Sequence, residues 1–351
     1  MTKNGKRVTM ADVARAAGVS KMTVSRVIND KGEIAEDTRK KVRLVMAELG
    51  YTPHAQAQRL GTGRSNTISL LYPAHNLGRR PINLMELDFM VGAATAAGEE
   101  GYFFNLVTTP VTKDTMHQMF RSAQVDGLII MQVHMDDWRV NLLRENDYPF
   151  TMVGRTADNT GLDFVDFHFE EAVVVAYDYL VQLGHEKISF INYPETMHQN
   201  GYGPGVRALH GYQTALNKHN LTGYICDVDF NTDDIYKATL KLVKEQPYLT
   251  AIVSPHDVGA FGILRAIQYA GLRIPEDISY IGMMTNKVAE LVTPQVTAIR
   301  FPTYDMAYEA TKKLVDRLQG DESPPLHSLV KSEIIVREST GPARNTGPAT
   351  R

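Results

Sequence analysis

Ser20-Lys21-Met22-Thr23-Val24-Ser25-Arg26 is the stretch that decides the fold. Ser20 offers a helix N-cap, and Val24, Val27 and Ile28 form an apolar stripe at helical spacing. Lys21, Met22, Ser25 and Arg26 are left facing outward. Upstream, a first helix is predicted over 10–16, with Thr9 as N-cap and Asp12 three residues on, where a capping carboxylate belongs. Ala17-Gly18-Val19 makes the turn, Gly18 taking the positive φ that a tight helix-to-helix connection needs. A third helix is predicted over 35–49 and stopped by Gly50; its Val42, Val45, Met46 and Leu49 close a small core. Two short helices, the second opening on an outward polar face, have the geometry that enters a DNA major groove. A plain three-helix bundle with a solvated basic face would use the same residues.

The charge distribution favours DNA. Residues 1–60 hold 12 of the 37 Lys+Arg and 6 of the 40 Asp+Glu, a balance of +6; the rest hold 25 against 34, a balance of −9. A basic head on an acidic body confines phosphate binding to the head. Lys21 and Arg26 can donate to guanine O6 and N7, and Met22 can touch a thymine methyl. Thr9, Ser20, Thr23 and Ser25 suit phosphate contacts, which position rather than specify.

At 351 residues the chain is long enough for two or three domains, and no apolar run reaches bilayer-spanning length. The N-terminus lacks an apolar signal core, and the single cysteine, Cys226, excludes an internal disulfide, so a cytoplasmic location is expected. Enzyme and cofactor motifs are missing. Tyr202-Gly-Pro-Gly205 opens no dinucleotide-binding turn, His185-Glu186 has no second histidine at Ser189, and no Gly-x-Ser-x-Gly elbow occurs. The 11 histidines show no metal-ligand spacing, so neither a catalytic residue, a cofactor nor a metal is expected.

From residue 67 onward strands alternate with helices. Strands are predicted at 68–72, 102–107, 127–131, 150–153, 187–191, 224–228, 251–254, 278–281 and 296–299. Helices are predicted at 87–100, 115–123, 169–183, 206–219, 233–244, 258–270 and 304–318. Such alternation argues for parallel sheets with right-handed crossovers and a ligand cleft at the carboxyl ends of the strands. His75 and Asn76, after the first strand, and His168, before the helix at 169, are placed to line its mouth. A solvated loop is the alternative for 75–85, which includes Arg79-Arg80.

The run Val8-Thr-Met-Ala-Asp-Val-Ala-Arg-Ala-Ala-Gly-Val-Ser-Lys-Met-Thr-Val-Ser-Arg-Val-Ile-Asn29, then Thr38-Arg and Glu48-Leu-Gly-Tyr-Thr-Pro53, resembles the LacI/GalR family of bacterial repressors. The resemblance extends along almost the whole chain through Leu183-Gly-His-Glu-Lys-Ile, Gly211-Tyr-Gln-Thr-Ala-Leu and Gly271-Leu-Arg-Ile-Pro-Glu-Asp-Ile-Ser. It implies a small all-α helix-turn-helix DNA-binding domain (1–50), a hinge helix and linker (51–63) and an α/β effector-binding domain (64–340). The last is expected to be periplasmic-binding-protein-like, with two Rossmann-like lobes. Lobe 1 is expected over about 64–166 and 300–325, lobe 2 over about 167–297 and 328–340, with crossings near 165–170, 296–301 and 324–329. The Gly/Pro-rich tail 341–351 is expected to be disordered.

The resemblance further implies a homodimer on a near-palindromic operator. Asn29 joins the DNA-contacting set, and Leu60 stands where the family inserts a minor-groove wedge. His54 and Gln58 replace the asparagine and arginine common there. Phe230 is implied as an aromatic stacking on the ligand, a core aromatic being the alternative. His256-Asp257 occupies the family's Asn-Asp position, and Arg207 lies near its effector arginine, one residue out of step. Gly282-Met-Met-Thr-Asn286 departs from Gly-Phe-Asp-Asp and puts Met284 where an aspartate would accept sugar hydroxyls. The effector is therefore expected to be a sugar, glycoside or sugar acid, the acid because Arg207 and nearby histidines are expected to face an anion without a neighbouring carboxylate. A corepressor-type response to a purine, and a sugar-binding receptor or Rossmann-type enzyme, are the rival readings. No leucine follows Arg337, and Gly341-Pro342 and Gly347-Pro348 break any helix, so a tetramerising leucine helix is not expected.

Overall fold

A computed structural model of the chain describes residues 8–28, 32–51, 64–72, 84–229, 231–257 and 259–344. Three helices, α1 (Met10–Ala17), α2 (Lys21–Ile28) and α3 (Glu36–Glu48), begin the chain. The Asp12 carboxylate accepts from the Thr9 backbone N–H at 3.0 Å and from its hydroxyl at 2.7 Å, which fixes the start of α1. Gly18 follows at φ 66°, with Gly18 N–H on Arg15 O and Val19 N–H on Ala14 O, so the last carbonyls of α1 are satisfied. The Ser20 hydroxyl accepts the Thr23 N–H at 3.0 Å and starts α2. Val13, Ala14, Ala17, Val24, Val27, Val42 and Tyr51 form the buried core of this unit.

The rest builds two six-stranded sheets. The first contains β1 (Thr67–Leu71), β2 (Phe103–Val107), β3 (Gly127–Met131), β4 (Phe150–Val153), β5 (Phe164–Phe167) and β11 (His327–Val330), in the order β11-β5-β4-β3-β1-β2. The second contains β6 (Ile188–Asn192), β7 (Tyr224–Asp227), β8 (Ala251–Ser254), β9 (Ser279–Met284), β10 (Thr297–Arg300) and β12 (Ile334–Ile335), in the order β12-β10-β9-β8-β6-β7. It is parallel except for β12, which runs antiparallel to β10. Between the strands lie α4 (Leu84–Glu99), α5 (Lys113–Arg121), α6 (Trp138–Glu145), α7 (Phe169–Gln182), α8 (Glu195–Gln199), α9 (Gly203–His219), α10 (Thr232–Glu245), α11 (Gly259–Tyr269), α12 (Asn286–Leu291) and α13 (Thr303–Leu318). Strands such as β3 (Gly-Leu-Ile-Ile-Met) and β9 are buried along their whole length, as a sheet covered on both faces requires.

The chain passes between the lobes after β5, after β10 and after β11. The third passage corrects the expectation. β11 pairs with β5 in the first sheet, so the crossing lies between Val330 and Ile334 rather than before residue 330. The tail is corrected in part. Residues 341–344 are packed, with Gly341 O against His185 Nε2 at 3.0 Å and the Arg344 guanidinium donating to Pro247 O at 2.8 Å; residues 345–351 lie outside the described residues. The sequence reading missed β5, β11 and β12 as strands and α6, α8 and α12 as helices.

Two helix pairs approach so closely that only glycine fits. A Cβ on Gly92 of α4 would stand 2.3 Å from Tyr304 O of α13, and one on Gly211 of α9 would stand 2.5 Å from Glu170 O of α7. At the crossings Phe167 stacks on Phe301 with centroids 4.4 Å apart, and Phe169 meets Phe301 edge-on at 5.5 Å. One aromatic cluster therefore joins two of the three passages.

Candidate DNA-reading helix and ligand cleft

Around the turn the recognition surface is built as the apolar pattern dictates. Val24 and Val27 are buried, whereas Lys21 and Arg26 are exposed and Met22 is 65% exposed. Thr9 and Ser20 are exposed caps, and Thr23 and Ser25 are half-buried. A methionine this open at the start of a basic helix costs apolar exposure that a groove contact would remove.

A cleft of about 730 Å³, counting its open mouth, lies at the carboxyl ends of the strands. Its walls come from the ends of β3 (Met131, Gln132, Val133), β4 (Val153, Gly154) and β5 (Asp166), and from the segments after β6 (Tyr193) and β8 (Pro255, His256, Asp257). Helix α4 adds Met85, Glu86 and Phe89, and the crossings add Phe169 and Phe301. Both sheets change winding direction beside this cleft, between β1 and β3 and between β6 and β8, where doubly wound folds bind ligands.

Buried ion pairs shape the walls. Beyond β3, Asp137 takes Arg139 Nη2 at 2.6 Å and the His134 N–H at 3.1 Å, while Arg139 also donates to Gln132 O at 3.1 Å. Burial alone would raise the Asp137 carboxyl, but hydrogen bonds from Arg139 and His134 hold it well below the usual carboxylate range. Asp166 accepts Arg155 Nε at 2.9 Å, yet burial outweighs the nearby Arg207 and Arg155 and raises its carboxyl above the ordinary value. Arg207 donates to Arg155 O and Thr156 O, both at 3.1 Å, and burial lowers its guanidinium. Gly203 N–H donates to Val133 O at 3.0 Å, and a Cβ on Gly203 would stand 2.7 Å from that oxygen. The Tyr202-Gly-Pro-Gly205 motif is thus the first turn of α9 laid against the other lobe.

Comparison with known proteins matches residues 9–54 to the model of bacterial regulatory proteins, lacI family, and residues 177–340 to a periplasmic binding protein-like domain. The chain is 30% identical to the HTH-type transcriptional regulator CelR of Thermobifida fusca, over 95% of this chain and 98% of that one. It belongs to the lacI family of bacterial regulatory proteins. Catabolite control protein A of Priestia megaterium is 28% identical over 95% of this chain and 99% of its own. Among solved structures, a CelR–cellobiose complex is similar with a TM-score of 0.67 and 28% identity, covering 95% of this chain and all of that one. The lac repressor dimer bound to operator and the anti-inducer ONPF shares the fold, with a TM-score of 0.80 at 24% identity, over 96% of this chain and all of that one. These named relatives are regulators. Among the described residues no helix of this regulator is long and apolar enough to cross a membrane.

Of the residues expected at the effector site, the cleft brings together His256 and Asp257, 1% and 3% exposed. Three others stand elsewhere. Met284 is fully buried in the apolar core of the second lobe, its Cε only 2.0 Å from where a Gly282 Cβ would sit. His168 caps α7, its Nδ1 accepting the Glu171 N–H at 3.3 Å. Arg207 lies behind the wall with Asp166 and Glu170 as neighbouring opposite charges, so its expected lack of a carboxylate was mistaken. Asn29, His54, Gln58, Leu60, His75, Asn76 and Phe230 lie outside the described residues, as do the hinge helix and Arg79-Arg80. Sequence reasoning missed Glu86, Phe89, Asp166, Phe169, Tyr193, Tyr202 and Phe301. Tyr193 and Phe301 directly follow strands, Asp166 stands near the end of one and Phe169 two residues past it, so for these four the strand-end rule itself was the available signal.

Proposed function

We propose that this regulator reads a near-palindromic operator as a homodimer in the cytoplasm, and that a carbohydrate held in the cleft sets its operator affinity. The observation that carries the reading is the source of the cleft walls. Both lobes contribute, and Phe169 and Phe301 belong at once to the cleft and to the aromatic cluster at the crossings. A ligand resting on them interacts differently with each lobe arrangement, which is what a shift of conformational populations requires. A coupling of roughly 1–3 kcal/mol between ligand and DNA would be typical. Aromatic faces suit the apolar faces of sugar rings, and Gln132, His256 and Asp257 suit their hydroxyls. The relative bound to cellobiose supports this class of ligand.

Two exposed apolar stripes support self-association: Leu84, Leu87 and Val91 on α4, and Phe261 and Tyr269 on α11. The test is operator binding measured with and without a panel of mono- and disaccharides, alongside sedimentation of the free protein. A change in operator affinity of about fivefold or more with one sugar is expected from that coupling, together with a dimer at micromolar concentration. Operator affinity indifferent to every sugar, or a monomer on the operator, would overturn the reading.

A further inference from the structure

We propose that Asp126 is a positioning residue for operator binding: its carboxylate fixes the backbone through which the tether of the DNA-reading helices enters β1. The inference rests on the two-headed operator reading above and is independent of the ligand class. α3 ends at Glu48 and β1 begins at Thr67, so the chain between them is that tether. Asp126 holds the end of it residue by residue. One carboxylate oxygen accepts the Ser65 N–H at 2.6 Å and the Ser65 hydroxyl at 2.9 Å, and the other accepts the Asn66 N–H at 2.7 Å. The Asp126 N–H in turn donates to Thr67 O at 2.8 Å. Four hydrogen bonds to one residue thus secure three consecutive ones.

Starting a strand requires only the backbone bond to Thr67; the carboxylate acts on the two residues before it. Asn66 stands at φ 50°, in the left-handed region that side-chain-bearing residues rarely adopt, and it is exposed. Ser65 is buried, and its hydroxyl also accepts the Thr67 N–H at 3.2 Å. An unfavourable backbone step on the surface is therefore held by bonds to a carboxylate, which are stronger than bonds between neutral groups. The other side of the clamp is rigid. Asp126 lies between Val125, which is buried, and β3, which is buried along its whole length and pairs with β1 from Gly127 and Ile68 onward. In a two-headed protein the second head binds intramolecularly, at an effective concentration set by how closely its tether is confined. Freeing the root of the tether lowers that concentration and leaves the contacts between each head and its half-site as they were.

Two DNA duplexes separate these effects: an operator recovered from random-sequence DNA by selection with the full chain, and one half-site of that operator. The parent is expected to bind the whole operator about a hundredfold more tightly than the half-site. Asp126→Ala should lose about tenfold of that advantage, with half-site affinity within about twofold of the parent. Asp126→Asn keeps an oxygen for Ser65 but turns an amide donor toward the Asn66 N–H, so it should fall between the two. Melting temperatures of both variants accompany the binding data. A clamp that only held the first lobe together would lower the melting temperature and leave the ratio of whole-operator to half-site affinity at the parent's value. That unchanged ratio would overturn the proposal and leave the two-headed reading standing. A parent with no whole-operator advantage would overturn both.

Discussion

Arg26, exposed on α2 beside the buried stripe of Val24 and Val27, tests the DNA reading at the level of a residue. Arg26→Ala is expected to cost about 1–3 kcal/mol on the specific operator and to relax discrimination there, with a smaller loss on random DNA. Equal losses on both in a salt-matched binding assay would reduce Arg26 to a phosphate contact. His185 tests the body of the protein. It is 1% exposed, with Nδ1 3.0 Å from the Thr250 hydroxyl and Nε2 3.0 Å from Gly341 O. Burial lowers its pKa below the ordinary 6.5, so the unfolded chain takes up a proton that the folded chain refuses. The stability from this group is therefore full above about pH 6.5 and declines as pH falls below it. Melting curves between pH 7.5 and 5 should show a shallower fall for His185→Gln than for the parent; parallel slopes would contradict the assignment. At this scale the recognition helix was legible because cap, turn and stripe are local. Met284 and Arg207 were not, because which side of a buried strand or helix faces a cavity is set by neighbours remote in sequence.

Elements were legible in proportion to their length and periodicity. All seven helices predicted beyond residue 67 are present, and β3, β4 and β8 begin and end where expected. The misses were short or lacked a pattern of their own. β12 has two residues and exists only because β10 offers it an edge, while α8 and α12 span five and six residues. β11 alternates exposed and half-buried residues at a sheet edge, so its sequence resembles a loop. Helix contacts carry a sharper consequence. Gly211 lets α9 rest on the backbone of α7, where an added Cβ would meet Glu170 O at 2.5 Å and its Cα at 2.8 Å. Backbone cannot swing aside as a side chain can, so Gly211→Ala should destabilise the protein by about 1–3 kcal/mol. Chemical denaturation checks this, and an unchanged midpoint would mean the two helices separate freely. The sequence marked Gly211 as a family signpost; only the packing supplies the reason.

For the whole molecule, the two-lobed plan followed from alternation and resemblance, but the closeness of the lobes did not. They are held together by more than the three crossings: Gly203 N–H on Val133 O at 3.0 Å, Met135 N–H on Gly201 O at 2.7 Å, and Lys287 on Asp88 at 2.8 Å. Arg207 is a buried charged member of this set, joining α9 of one lobe to the 155–156 segment of the other. Its position separates two roles. As a direct ligand contact, Arg207 would affect each sugar according to the group it touches. As a tie between lobes, it sets the fraction of molecules in the binding-competent arrangement, and losing it scales every dissociation constant by the same factor. Arg207→Ala removes charged hydrogen bonds to two carbonyls and should cost about 1.5–3 kcal/mol of stability without ligand. It should also weaken all bound sugars in equal proportion and enlarge the ligand-free particle in small-angle scattering. Losses that differ tenfold between sugars, with scattering unchanged, would return Arg207 to the cleft wall.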